Sequence, residues 1–414
     1  FKQKTAYEIG VRLVGSEMCI RDRTDIDIIV IGRGLIGSAT ARQLAKAGAS
    51  VVLIGPGEPE DHHSHNGVFG SHYDSGRIVR ILDPDPYYAQ ISKASIEQYR
   101  PLENQTGTSF FHEVGYLSVT NNNDYYADVE AVGKIFFPDA EHISHQESAE
   151  RFPYFNFPAD VKTIYQQTMA GYINPRRQIA AQNKALEMYK GKIIDDIALE
   201  IKQKGKTISV YTNNEIFDCR KVILVTGAYA NIGGLIPRQI EYEVVPHTIV
   251  FGEIAKQRLP ALRGMPSLSY RHGNDQMRYI YFMPPVLYPD GKYYAKIGHS
   301  FGDSLPVNRE SLTLWFQSDG DMTRAEWLKD TMINLLPDIS FNSFSSKSCV
   351  TTKSPTGKQF IDQFEDTQIF SLLADNGNCA KSADEVGSIA TEFLLNGRFP
   401  SKFKQEDFRL QYSR

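Results

Sequence analysis

The chain has 414 residues and a net charge of −4, with 41% apolar and 23% charged residues. This balance excludes disorder, and it excludes the basic field that would draw nucleic acid or an anionic membrane surface. Four cysteines (Cys19, Cys219, Cys349, Cys379) with no CxxC pair exclude a disulfide scaffold and a cysteine zinc site, so a reducing, cytoplasmic setting is expected.

Length predicts two or three domains, and no run reaches the ~18 uncharged apolar residues of a membrane-spanning helix. The segment Val14-Gly-Ser-Glu-Met-Cys-Ile-Arg-Asp-Arg23 resembles sequencing-adapter DNA translated in frame. Residues 1–23 are therefore expected to be a non-native leader. Asp27-Ile-Ile-Val-Ile-Gly32 reads as a buried strand, Ser38 to Gly48 as a helix, and Ser50-Val-Val-Leu-Ile54 as a second buried strand. Together they make one β-α-β unit. The loop from Glu58 to Gly76 holds His62, His63, His65 and His72, but without the spacing of a metal site, so a solvated loop is expected and no metal.

Further along, a helix is predicted over Tyr87 to Glu103, and a strand with a glycine break over residues 110–120. A helix follows over 176–190, then two antiparallel strands within 193–211 that turn near Lys204-Gly205-Lys206. Val222-Ile-Leu-Val-Thr-Gly227 is another buried strand. Residues 240–315 alternate aromatic and polar residues and read as an antiparallel layer. A helix over 323–336, a strand from Ile369 to Ala374 and a helix from Ala383 to Asn396 complete the chain. No repeat, no low-complexity linker and no GxSxG elbow is present, so hydrolase chemistry has no support.

Gly32-Arg33-Gly34-Leu35-Ile36-Gly37 matches GxGxxG between a strand and a helix. There the glycines admit a tight turn and a close approach of backbone to a pyrophosphate, which the helix N-terminus stabilises. The pattern also asks for an acidic residue just after the second strand. Gly55-Pro56-Gly57 stands there instead, and Glu58 is the nearest carboxylate that could substitute. The fingerprint does not distinguish FAD from NAD.

Five further segments bear on that choice. They are Gly70-Ser-His-Tyr-Asp-Ser-Gly-Arg77-Ile-Val-Arg80, Val225-Thr-Gly-Ala-Tyr229, Tyr294-Ala-Lys-Ile-Gly-His299, Ser348 to Asp362, and Gly377-Asn-Cys-Ala-Lys381. In order along the chain, they resemble segments of the monomeric sarcosine oxidase family, among the D-amino-acid-oxidase-like flavoproteins. The resemblance implies an α/β fold: a Rossmann-like FAD domain interleaved with a substrate domain built on a mostly antiparallel sheet. The expected FAD domain comprises residues 24–85, 145–235 and 340–414, and the substrate domain 86–144 and 236–339.

The resemblance also implies roles. Gly32, Gly34, Leu35, Ile36, Gly37, Ser71, His72, Gly227 and Gly377 would contact FAD. Cys349 would hold it through a thioether, where the residue alone reads as a small buried cysteine. Lys296 would promote reaction with oxygen, and Arg77 would act beside the flavin. Arg80 and Lys381 would hold a substrate carboxylate, Lys381 also touching the cofactor. Tyr281 and Met283 match pocket positions, with a plain core role as the alternative. Tyr73 and Asn378-Cys379-Ala380 depart from the family pattern on the substrate side. The implied activity is oxidation of an amino-acid-like amine by a monomer, with oxygen as acceptor. A dehydrogenase using another acceptor, and a catalytically silent flavoprotein serving as a binding factor, are the alternatives.

Overall fold

The structure, a computed structural model, describes residues 26–273, 279–299, 304 and 308–413. The leader reading for residues 1–23 falls outside them. Two eight-stranded sheets carry the fold. The first is built on apolar, β-branched runs, which bury both faces as parallel strands do. Strand Ile26–Ile31 pairs in parallel with Val51–Ile54 and with Ile216–Leu224, which pairs in turn with Ile369–Leu373. Ala198–Lys204 and Thr207–Thr212 extend this sheet as an antiparallel hairpin, as predicted, turning at Gly205.

Helices Leu35–Lys46, Pro86–Glu97, Pro175–Met188 and Cys379–Asn396 cover one face of this sheet, around Val30, Leu53, Ile223 and Leu372. Arg42 and Asp384 fasten the first of these helices to the last, with Nη2–Oδ distances of 2.7 and 2.9 Å and both side chains buried. Gln43 and Gln182 donate to the same carboxylate.

The second sheet runs, strand by neighbouring strand, Phe344–Lys353, Glu243–Ile254, Tyr293–His299, Tyr279–Leu287, Ser267–Arg271, Tyr116–Thr120, Lys162–Gln166 and Glu141–Ile143. It is antiparallel except where Tyr116–Thr120 meets Ser267–Arg271. Alternation gives it two unlike faces. Leu117, Leu268, Ile280, Phe282 and Ile297 face helix Met322–Leu335 in an apolar core. Tyr116, Ser269, Arg271, Tyr279, Tyr281 and Lys296 share the other face by register.

Several sequence expectations shift. The helix expected over Tyr87 to Glu103 is two, Pro86–Glu97 and Tyr99–Thr106. Pro101 explains the break: it lacks an N–H, and its ring collides with the carbonyl four residues back. Arg309–Gln317, read as part of the β layer, is a helix with an Asn308–Ser311 capping box. The C-terminal helix begins at Cys379, four residues before the expected start, which puts Lys381 in its first turn. Strands Lys162–Gln166 and Phe344–Lys353 belong to the second sheet, although their segments were assigned to the FAD domain. Conversely, helix Pro86–Glu97 packs against the first sheet's core, not with the substrate domain.

Removing Asp384 leaves the Arg42 charge buried and unpaired, which typically costs ~3–5 kcal/mol. Asp384→Ala is expected to lose about that much in chemical denaturation. The double variant Arg42→Met, Asp384→Leu is expected to lose less, and a greater loss in the double variant would refute the unpaired-charge account.

Candidate active site

A cavity of about 330 Å³ opens at the C-terminal end of strand Ile26–Ile31. Ten of the predicted residues line it: Gly32, Gly34, Leu35, Ile36, Gly37, Ser71, His72, Arg77, Gly227 and Gly377. Gly32 has φ +119°, and a Cβ there would lie 2.1 Å from the Val225 carbonyl oxygen. A Cβ at Gly37 would lie 1.7 Å from the Gly32 carbonyl oxygen. Gly34 differs, because the nearest atom to its notional Cβ is His72 Nδ1 at an ordinary 3.7 Å. The protein's own atoms leave space there, and a bare backbone at Gly34 keeps that space open to the cavity. Helix Leu35–Lys46 starts at Gly34 with no side-chain cap and no acid in its first turn. Its free N–H groups therefore face the cavity, the arrangement that receives a pyrophosphate. The glycine cradle and the uncapped helix fit FAD. Burial pushes the His72 imidazole down to about 4, so this cavity wall is uncharged there at neutral pH.

Glu58 is not in the cavity wall. Arg176 holds both its oxygens at 2.6 Å, and these bonds, with His62, keep its carboxyl at about 2 against the upward push of burial. The remaining loop histidines bond to backbone carbonyls: His63 to that of Gln317 on a distant helix, His65 to that of Val68 nearby. Among the described residues no group of three potential metal ligands gathers.

Cys349 sits on the first strand of the second sheet, directly opposite His247. Its Sγ lies 3.4 Å from Arg77 Nη2, and Arg77 also donates to the Ser71 carbonyl at 2.7 Å. Both Arg77 and Ser71 line the cavity, as do Val350 and Thr351 beside the cysteine. Trp315 Nε1 donates to the Cys349 carbonyl at 2.9 Å. Burial opposes the charge on Arg77, but Cys349 and Asp74 outweigh it and hold the guanidinium charged.

Two buried carboxylates organise the other predicted residues. Asp74 Oδ2 takes Lys296 Nζ at 2.7 Å and Arg77 Nε at 3.1 Å, while Oδ1 accepts from Tyr288 Oη at 2.8 Å. Lys296 also donates to the Gly76 carbonyl. Burial would raise the Asp74 carboxyl, yet these cations keep it well below the usual carboxylate range. Burial pushes the Lys296 ammonium down, and Asp74 opposes that push. Nine residues on, Asp83 Oδ2 accepts from Arg80 at 2.7 Å and from Lys381. Arg80 and Lys381 thus converge as expected, but around a carboxylate of the protein's own. Sequence reading singled out neither acid, although Asp74 stands three residues before Arg77 and Asp83 three after Arg80. Tyr281 lies on the same face as Lys296, whose Nζ is 5.8 Å from its ring centroid.

Asp83 supplies a pH test. Burial would raise its carboxyl, but Lys381 and Arg80 lower it from 3.8 to about 2. A depressed acid stabilises the fold above the unfolded pKa, and that stability is lost as pH falls through the folded one. Lys381 opposes part of the gain, since burial and the Arg80 charge push its ammonium down to about 8. Asp83→Asn is therefore expected to lose stability at neutral pH, of which about 1–2 kcal/mol disappears between about pH 4 and pH 2. Urea unfolding at several pH values checks this, and a pH-independent loss would contradict it.

Comparison with known proteins agrees with this geometry. The family described as FAD dependent oxidoreductase matches residues 27–393. The peroxisomal sarcosine oxidase of Mus musculus is 23% identical over 400 residues, covering 93% of this chain and 95% of that protein. The monomeric sarcosine oxidase of Arthrobacter sp. (strain TE1826) is 23% identical, covering 91% and 94%. Among solved structures, the open form of a NikD variant, described as an unusual amino acid oxidase, superposes with a TM-score of 0.75 at 18% identity, covering 94% of this chain and 98% of that one. With a fingerprint cradle, an uncapped helix and a match across nearly the whole fold, this chain belongs to the FAD dependent oxidoreductase family.

Proposed function

We propose that this FAD-dependent oxidoreductase oxidises the C–N bond of a secondary or primary amino-acid-like amine, with oxygen as acceptor and peroxide as product. One observation carries the reading. Lys296 is buried on the polar face of the second sheet, and Asp74 joins it to the cavity-lining Arg77, whose other nitrogen reaches Cys349 beside the cavity-lining Val350. The names of the sarcosine oxidase relatives support the substrate class.

When bound, FAD supplies a two-electron acceptor for the hydride on the carbon next to nitrogen. Gly32, Gly34 and Gly37, with the N-terminus of helix Leu35–Lys46, would hold its pyrophosphate. Cys349 would fix the flavin covalently, with Arg77 and Ser71 holding the sulfur in place. Lys296 would place a cation beside the reacting centre, where preorganised charge stabilises developing negative charge. Asp74 aims that ammonium and tempers its charge. Arg80 and Lys381 keep donors beyond those given to Asp83, and these would orient the substrate carboxylate. A monomer in a cytoplasmic setting belongs to the same reading, and the three cysteines among the described residues are free thiols.

Acid precipitation of the holoenzyme is expected to carry the yellow colour into the pellet, and Cys349→Ala to release it into the supernatant. Colour released from the unmodified protein would rule out the thioether. In stopped-flow work, Lys296→Met is expected to slow reoxidation by oxygen at least tenfold more than anaerobic reduction by amine. Reoxidation unchanged by that substitution would favour the dehydrogenase alternative, an outcome consistent with the charge on Lys296 being countered by Asp74.

A further inference from the structure

The polar face of the second sheet continues past Lys296 to a second cationic position. Lys296 is paired across strands with Met283, and Arg271 with Tyr279. The two positions flank strand Tyr279–Leu287, four residues apart along it at ~3.3 Å each and two strand spacings of ~4.8 Å apart across it, about 16 Å in all. The other cations named for the site all have carboxylate partners: Lys296 and Arg77 on Asp74, Arg80 and Lys381 on Asp83. Arg271 has none among the described residues.

Its surroundings are built. The Arg271 Cζ lies 4.0 Å from the Tyr125 ring centroid and 4.5 Å from that of Tyr279. Aromatic rings stacked on a guanidinium occupy its faces and leave its N–H edge to bind in plane. The buried Arg271 Nε has no hydrogen-bond partner, and neither does the hydroxyl of the fully buried Tyr116. Tyr116 stands next to Arg80, whose Cζ is 5.2 Å from its ring centroid, so this cluster adjoins the proposed carboxylate clamp. Buried donors without partners are costly unless a ligand or water satisfies them.

We propose that Arg271, framed by Tyr125 and Tyr279 and assisted by the Tyr116 hydroxyl, is a distal carboxylate subsite, and that the substrate is an amino acid bearing a second, terminal carboxylate. This rests on the amine-oxidising reading above. A planar carboxylate matches the edge of a guanidinium bidentately, and a neutral amide of the same size does not.

The test compares N-methyl-α-aminoadipate with its terminal amide, using anaerobic reduction of the holoenzyme. The acid is expected to be preferred about 10–100-fold in kcat/KM, chiefly through KM. Arg271→Gln is expected to abolish that preference, and Arg271→Lys to retain part of it. Adipate, which cannot be oxidised, is expected to perturb the flavin spectrum at lower concentration than hexanoate. Equal use of acid and amide by the unmodified enzyme overturns the subsite whether or not the variants fold, and so does a preference that survives in Arg271→Gln. Failure of every amine to reduce the flavin defeats the amine-oxidising reading instead.

Discussion

The site depends on a buried carboxylate that joins two halves of the molecule. Asp74 lies on the loop that leaves the first β-α-β unit, while Lys296 lies on a central strand of the second sheet. Their contact, reinforced by Tyr288 and by Arg77, draws the loop across the mouth of the cavity and onto the polar face of that sheet. A buried ion pair of this kind contributes little net stability, because desolvation offsets most of the attraction. Its larger effect is on geometry. Among the described residues neither the ammonium nor the guanidinium has another carboxylate partner, so any slip of loop against sheet would leave two charges unpaired in a low-dielectric interior.

The same device recurs nine residues later. Asp83 ties Arg80 to the first turn of the C-terminal helix through Lys381. The short segment from Asp74 to Asp83 therefore meets the second sheet at one end and the last helix at the other, and its arginines are set between those anchors. A site assembled from chain positions 74, 83, 296, 349 and 381 gains its precision from these cross-links. The buried Arg42–Asp384 pair, three residues further along that last helix, holds it to the fingerprint helix in the same manner.

Much of this was legible in the sequence. The run from Asp27 to Ile54 specifies strand, turn and helix locally, because β-branched residues, glycines and helical spacing all act within a few residues. The fingerprint glycines followed from their motif, and Arg77, Lys296 and Cys349 from the resemblance to a known family. The counter-ions did not, since what makes Asp74 and Asp83 matter lies 222 and 298 residues away. Domain boundaries failed for a related reason. Strands Lys162–Gln166 and Phe344–Lys353 cross from segments near the first sheet into the second, and alternation within a strand does not name its partners. Helix Arg309–Gln317 was hidden by surrounding strand-like residues, although its capping residues stood in plain view.

Trp315 adds a last consequence. The strand bearing Cys349 is the outermost of its sheet, with no strand of the described residues paired to one side of its backbone. Outermost strands invite annealing with a strand from another molecule. Here helix Arg309–Gln317 lies against that strand, and the Trp315 indole takes the Cys349 carbonyl for itself. The far end of the sheet finishes in a strand of only three residues, Glu141–Ile143, too short to template much pairing. The sheet whose outermost strand lends Val350 and Thr351 to the cavity wall is thus blunted at both margins.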